Sequence, residues 1–243
     1  MIVSLDIVYR AHFCFLPMRL PQGDLFGVEL ITNFVGDDAP VRIPTELVLP
    51  HITAEQELTL FCEKLSLLES CQHFFMAQQC PAWININEHI ADAILSQPCL
   101  IKRIGQLPFI ELMVNESFEE LNLGDDNPRL RKLGLLFPLA LGNFGAGIAT
   151  TRPIFDGLFS SVMLDKGFIH KQIHESSFTP FMQAITDQIS PFCRALLIAG
   201  IDDEESRAKA RVLRFTAMQG NLWPAVPAES LTDLLLPQAG LSP

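Results

Sequence analysis

Leu139-Ala140-Leu141 runs into Gly142-Asn143-Phe144-Gly145-Ala146-Gly147, and after a crossover Val162-Met163-Leu164 ends on Asp165. An apolar strand that empties into a Gly-rich loop and returns as a second apolar strand ending on a carboxylate is how a parallel α/β protein presents groups at its strand ends. A site is expected along that edge. A hydrolytic site needs charged or metal-binding groups after the first strand, and here stand a glycine and a neutral amide.

The same grammar extends in both directions. Ala82 to Ile86 reads as a strand with Asn85 near its end, followed by a helix bearing Ile90 and Ile94. Phe109 to Val114 is the next strand, trailed by Asn115-Glu116-Ser117; Asn127 as N-cap and Pro128 in the first turn announce a helix carrying Leu130, Leu133 and Leu136. Between the two strands of the opening stretch lies a short helix around Pro153 to Leu158, and beyond them a helix starts at Thr179-Pro180. A strand from Ala195 to Ala199 follows, then a helix capped by Asp202 with Glu205, a strand from Phe215 to Met218 and a closing helix from Glu229 to Leu236. Upstream, Phe13 to Pro17 and Leu25 to Thr32 flank the turn Pro21-Gln22-Gly23-Asp24 as a hairpin, and Thr53 with Gln56 forms a capping box for a helix with the stripe Leu58, Phe61, Leu65 and Leu68. Strands alternating with helices over 243 residues suggest a parallel (β/α) barrel with an irregular N-terminal part. Its strand ends would gather Asn85, Glu116, Gly142, Asn143, Asp165, Asp202 and Gln219. Glu29, a carboxylate inside an apolar strand, implies either a solvated edge or a polar pocket; the residues alone leave both open.

Composition narrows the function classes. The hydrophobic fraction of 49% and charged fraction of 19% indicate a globular chain. No apolar run approaches the roughly 20 residues of a membrane span, and no basic stretch precedes an apolar core at the start, so a cytoplasmic protein is expected. Six scattered cysteines without a Cys-x-x-Cys pair read as buried reduced thiols. His170 and His174 lack a third ligand or an ordered carboxylate, so no metal site is expected there. The net charge of −11, with basic residues dispersed except around Arg207, Lys209, Arg211 and Arg214, opposes direct nucleic-acid binding and favours a protein partner with a basic surface.

Taken together, the strand ends resemble the EAL family of cyclic-di-GMP phosphodiesterases, from Gly27 to Pro227. The similarity is carried by Glu29-Leu30-Ile31-Thr32-Asn33, Ile84-Asn85-Ile86-Asn87, Glu111 to Ser117, Gly142 to Gly147, Val162 to Asp165, Ile198-Ala199-Gly200-Ile201-Asp202 and Gln219-Gly220. It implies a TIM-like (β/α) barrel of the EAL type, a single domain over residues 1–243. Active members resemble two-metal hydrolases. By that resemblance Glu29, Asn85, Glu116, Asp165 and Gln219 are vestiges of the site: the name-giving glutamate, a metal-binding asparagine, a loop-stabilising glutamate, the acidic end of a strand and a late glutamine. The family's other functional positions fall on Met113 for a metal-binding glutamate, Gly142 and Asn143 for paired aspartates, Met163 for the catalytic lysine, Ala199 for a glutamate and Asn33 for an arginine. Methionine, glycine and a neutral amide do not supply the anionic oxygens that magnesium or manganese requires. The expectation is no cofactor, no metal, no catalysis, and weak or absent cyclic-di-GMP binding.

Within the family the chain is most similar to a degenerate enteric branch that binds the flagellar master regulator FlhDC. The residues are Gly27 to Thr32, Val41-Arg42-Ile43-Pro44-Thr45, Ser70-Cys71-Gln72-His73-Phe74-Phe75, Phe155-Asp156-Gly157-Leu158-Phe159, Val162 to Lys166, Gln188-Ile189-Ser190-Pro191 and Leu222-Trp223-Pro224-Ala225-Val226-Pro227. Trp223 between prolines reads equally as a plug of the barrel end or an exposed contact. The resemblance implies capture of the FlhD subunit, blocked promoter binding, repressed flagellar genes and motility, and delivery of the activator to the ClpXP protease. A non-hydrolysing cyclic-di-GMP receptor is the alternative.

Overall fold

In the computed structural model, which describes residues 2–4, 8–36, 42–43, 45–147 and 149–236, the chain folds as an α/β TIM-like barrel. The hairpin expected at the start is longer than the sequence pattern suggests: β1 (Val8–Arg19) and β2 (Leu25–Gly36) run antiparallel, with Leu16 opposite Glu29. From β2 the sheet continues through parallel neighbours β3 (Ala82–Asn85), β4 (Ile110–Asn115), β5 (Leu139–Phe144), β6 (Ser161–Leu164), β7 (Ala195–Ile198) and β8 (Ala217–Met218). Met218 then pairs antiparallel with Arg19 of β1, so eight strands close on themselves. Closure removes the exposed sheet edges that would otherwise recruit other chains.

The helices follow their sequence signals. Gln56 N–H donates to the Thr53 hydroxyl at 3.2 Å and Thr53 N–H to the Gln56 side-chain oxygen Oε1 at 2.9 Å, a complete capping box ahead of the helix Ala54–Ser70. Asn87 caps Glu88–Ser96, and Asn127 caps Pro128–Leu136 by accepting from Arg129 and Leu130. Leu130 and Leu133 are buried, as expected of the core stripe, but Leu136 is half exposed where the helix ends.

Three element readings are corrected, and one that the residues left open is resolved. The helix Glu204–Arg211 is capped by Asp203, whose extended backbone lets its carboxylate accept from Ser206 N–H at 2.7 Å; the neighbouring Asp202 turns to the barrel mouth instead. The closing segment Ala228–Leu235 is a 3-10 helix, and its buried Leu231 and Leu234 match that three-residue period. Trp223 is fully buried in the core, which settles it as a plug rather than a contact. The helix expected at Thr179-Pro180 begins one residue earlier, at Phe178. Of the stretch Val41 to Thr45, Val41 and Pro44 lie outside the described residues.

The cysteines are unpaired, and burial pushes the Cys80 thiol up to about 12 and Cys193 to about 11, which makes both poor nucleophiles. Among the described residues no helix is long and apolar enough to cross a membrane.

Inside the barrel, alternation along the strands turns one residue in two inward. Met18, Trp83, Met113, Ala140, Met163, Ala195, Leu197, Ala199 and Ala217 form an apolar interior. Beneath them lies one carboxylate. Glu111, 2% exposed, accepts from Trp83 Nε1 at 3.0 Å and Ser161 Oγ at 2.7 Å, and pairs with the guanidinium of Arg194 at the bottom of β7. Replacing Glu111 by alanine strands two buried donors and is expected to cost roughly 2–6 kcal/mol by urea unfolding, at about 1–3 kcal/mol for each unsatisfied group. A loss below about 1 kcal/mol would mean that the network is dispensable.

Candidate functional site

The mouth of the barrel is organised by Glu29. Its side chain is 9% exposed and is held from both sides, by Asn85 Nδ2 at 2.6 Å and by Gln219 Nε2 at 3.0 Å. The three residues come from β2, the end of β3 and the residue after β8, so barrel closure brings them together. Of the two readings open at Glu29, the polar pocket is the one the fold contains.

The next groups around the rim are engaged in backbone support. Glu116 is buried and accepts from Gly145 N–H at 2.6 Å, in the Gly-rich loop after β5, where Gly145 has φ +102°. Asp165 accepts from Phe168 N–H at 2.7 Å as the N-cap of the helix Lys166–Gln172. Asn143 adopts the left-handed region at φ 56°, which asparagine tolerates, and its amide lies 3.4 Å from Asn115 Oδ1. Asn33 turns sideways within the hairpin, with its amide 3.6 Å from Cys14 Sγ.

Where the resemblance places metal ligands and a lysine, the structure has packed apolar side chains. Met113, Met163 and Ala199 are buried together in the barrel interior. Gly142 is part of that packing: a Cβ built on it would meet Met113 Sδ at 2.8 Å and Asn115 Oδ1 at 3.0 Å. A side chain at 142 would therefore require the Met113 thioether to move, which couples the two departures. Among the described residues no group of three His, Cys, Asp or Glu could hold a metal. The helix carrying His170 ends at Gln172, before His174, and His170 Nε2 instead lies 3.0 Å from Asp202. The donor set does not fit a pair of hard divalent ions, because its carboxylates are committed to amides and caps and its remaining positions are thioether or hydrocarbon.

The model of the EAL domain matches residues 9–225. The chain belongs to the EAL domain family. It is 48% identical over 235 residues to the anti-FlhC(2)FlhD(4) factor YdiV of Salmonella paratyphi B, covering 97% of this chain and 99% of that one. The factor of the same name from Salmonella arizonae is 47% identical over the same length and coverage. A crystal structure of the EAL-like domain protein YdiV superposes with a TM-score of 0.87 at 46% identity, over 94% of this chain and 97% of that chain.

One EAL-mouth residue escaped the sequence pattern. Lys64, on the helix Ala54–Ser70, is 9% exposed and lines a cleft of about 120 Å³ with Glu57, Asn85, Asn87 and Asn115. A signal existed: Leu60, Lys64 and Leu68 are four apart, so the lysine stands in the buried stripe of an amphipathic helix. Glu57 on the same cleft accepts from Asn87 Nδ2 at 2.6 Å. Burial lowers the Lys64 ammonium to about 8 despite the raising influence of Glu29 and Glu57. It is still protonated at neutral pH.

Two outcomes follow from this packing. Gly142→Ala is expected to cost about 1–3 kcal/mol as overpacking, and Met113→Ala in the same chain is expected to remove most of that cost; equal costs in both backgrounds would contradict the coupling. For Lys64, the folded value of about 8 lies below the ordinary 10.5, so between those pH values the unfolded chain binds more protons and stability rises with pH. Relative to Lys64→Met, the wild-type Tm is therefore expected to climb from about pH 8 to about pH 10.5; parallel Tm curves for the two proteins would refute it.

Proposed function

We propose that this chain is a catalytically inactive EAL-like protein that binds FlhDC through its FlhD subunit, blocks its binding to promoter DNA, and so represses flagellar genes and motility. The observation that carries this reading is 48% identity across nearly the whole length of a relative named for that activity. The state of the mouth supports the inactive part. A hydrolysis that relies on metal-held water has no ligand set here, since Met113, Gly142 and Met163 contribute no charge where the family's chemistry needs it.

Charge supports the rest. An acidic chain of net −11 would be repelled by DNA but steered toward a basic DNA-binding complex, so inhibition by occupying a protein surface suits its electrostatics. Delivery of captured activator to the ClpXP protease would follow from the same complex. A doubly anionic dinucleotide meets Glu29 and Glu57 at the mouth, with one lysine against them, so cyclic-di-GMP binding is expected to be weak or absent.

Co-elution on a sizing column tests the reading. Mixed with purified FlhDC, the chain is expected to leave in one complex peak that no longer shifts promoter DNA. Separate peaks, together with micromolar heat on titrating cyclic-di-GMP and magnesium, would replace this reading with a nucleotide receptor.

A further inference from the structure

We propose that the cleft between the helix Ala54–Ser70 and the ends of β3 and β4 binds a small apolar α-amino acid, its carboxylate taken by Lys64 and its ammonium by Glu57. This holds whether or not FlhD is the partner, because the cleft lies at the barrel mouth rather than on the outer surface.

Lys64 is 9% exposed and lines the cleft, and among the described residues its ammonium makes no hydrogen bond and no ion pair. A buried charge without a partner is costly, and an anion brought to it through the cleft lowers that cost. The neighbouring polar side chains each keep one unused atom among the described residues. Asn115 accepts through Oδ1 from Asn143, which leaves its Nδ2 as a second donor for a carboxylate. Glu57 accepts from Asn87 through Oε1 alone, and Asn85 donates to Glu29 through Nδ2, so Glu57 Oε2 and Asn85 Oδ1 remain as acceptors for an ammonium. Glu57 and Lys64 are seven residues apart on one helix, hence on one face and about 10 Å apart along its axis. Two charge-assisted hydrogen bonds and the short frame of an amino acid bridge that distance. A simple anion would satisfy Lys64 and be repelled by Glu57, and a metal cation would meet the ammonium; a molecule bearing both charges suits both ends. Between those ends the walls are Leu60, Phe61, Ile86 and Ile90, which favour a hydrocarbon side chain. The cleft volume of about 120 Å³ is many times the roughly 10–15 Å³ that a single water needs.

The test is calorimetry on the full-length chain at neutral pH with L-valine and its two halves, isovalerate, which lacks the ammonium, and isobutylamine, which lacks the carboxylate. L-valine is expected to bind saturably at millimolar concentration or below, at least about tenfold tighter than either half, since each half forfeits a charged contact. No saturable heat from L-valine, or a half that binds as tightly as the whole, overturns the proposal. Lys64→Met and Glu57→Gln are each expected to weaken L-valine by at least about tenfold, and unchanged affinity in either folded variant overturns it as well. Should a variant fail to fold, the comparison of L-valine with its halves on the wild-type chain decides.

Discussion

A single carboxylate, Glu29, held between the amides of Asn85 and Gln219, is the constraint on which the mouth of this barrel depends. The two donors are 56 and 190 residues away in sequence, so the cluster exists only when β2, β3 and β8 stand in their closed order. A buried carboxylate demands donors, and the fold supplies two, the amides of Asn85 and Gln219. In a two-metal hydrolase the same position would be neutralised by cations. Here its oxygens are satisfied by the chain, and the interior beneath it has become apolar packing, with Met113 filling the space that a side chain at Gly142 would need.

Much of the fold was legible in local chemistry. Caps at Thr53 and Asn127, the apolar runs at Ala82, Phe109, Leu139, Val162 and Ala195, and the hairpin turn near Gly23 each have a short-range physical cause, and each appears where expected. The failures share a different cause. Choosing between Asp202 and Asp203 as a cap requires knowing which one the barrel mouth claims, and the two readings open at Trp223 can be separated only once the core that receives it is built. Both depend on contacts between distant segments.

The site divides in the same way. Which positions depart from the hydrolytic pattern could be read one residue at a time, because residue type alone decides whether a side chain can bind a hard cation. How the departures fit together could not. That Met113 and Gly142 are one steric unit, that Glu111 seals the barrel bottom through Trp83, Ser161 and Arg194, and that Lys64 faces the mouth from a helix are facts of packing. Lys64 did leave a trace, a charge within an apolar stripe, which four-residue spacing could have exposed.

The barrel keeps the architecture of its family while its interior is filled by apolar side chains. The most direct measurement is electron paramagnetic resonance of manganese added to the wild-type chain at neutral pH. The account predicts the full six-line signal of free manganese at every ratio. Stoichiometric loss of that signal to bound ions at the barrel mouth, abolished by Glu29→Gln, would contradict it.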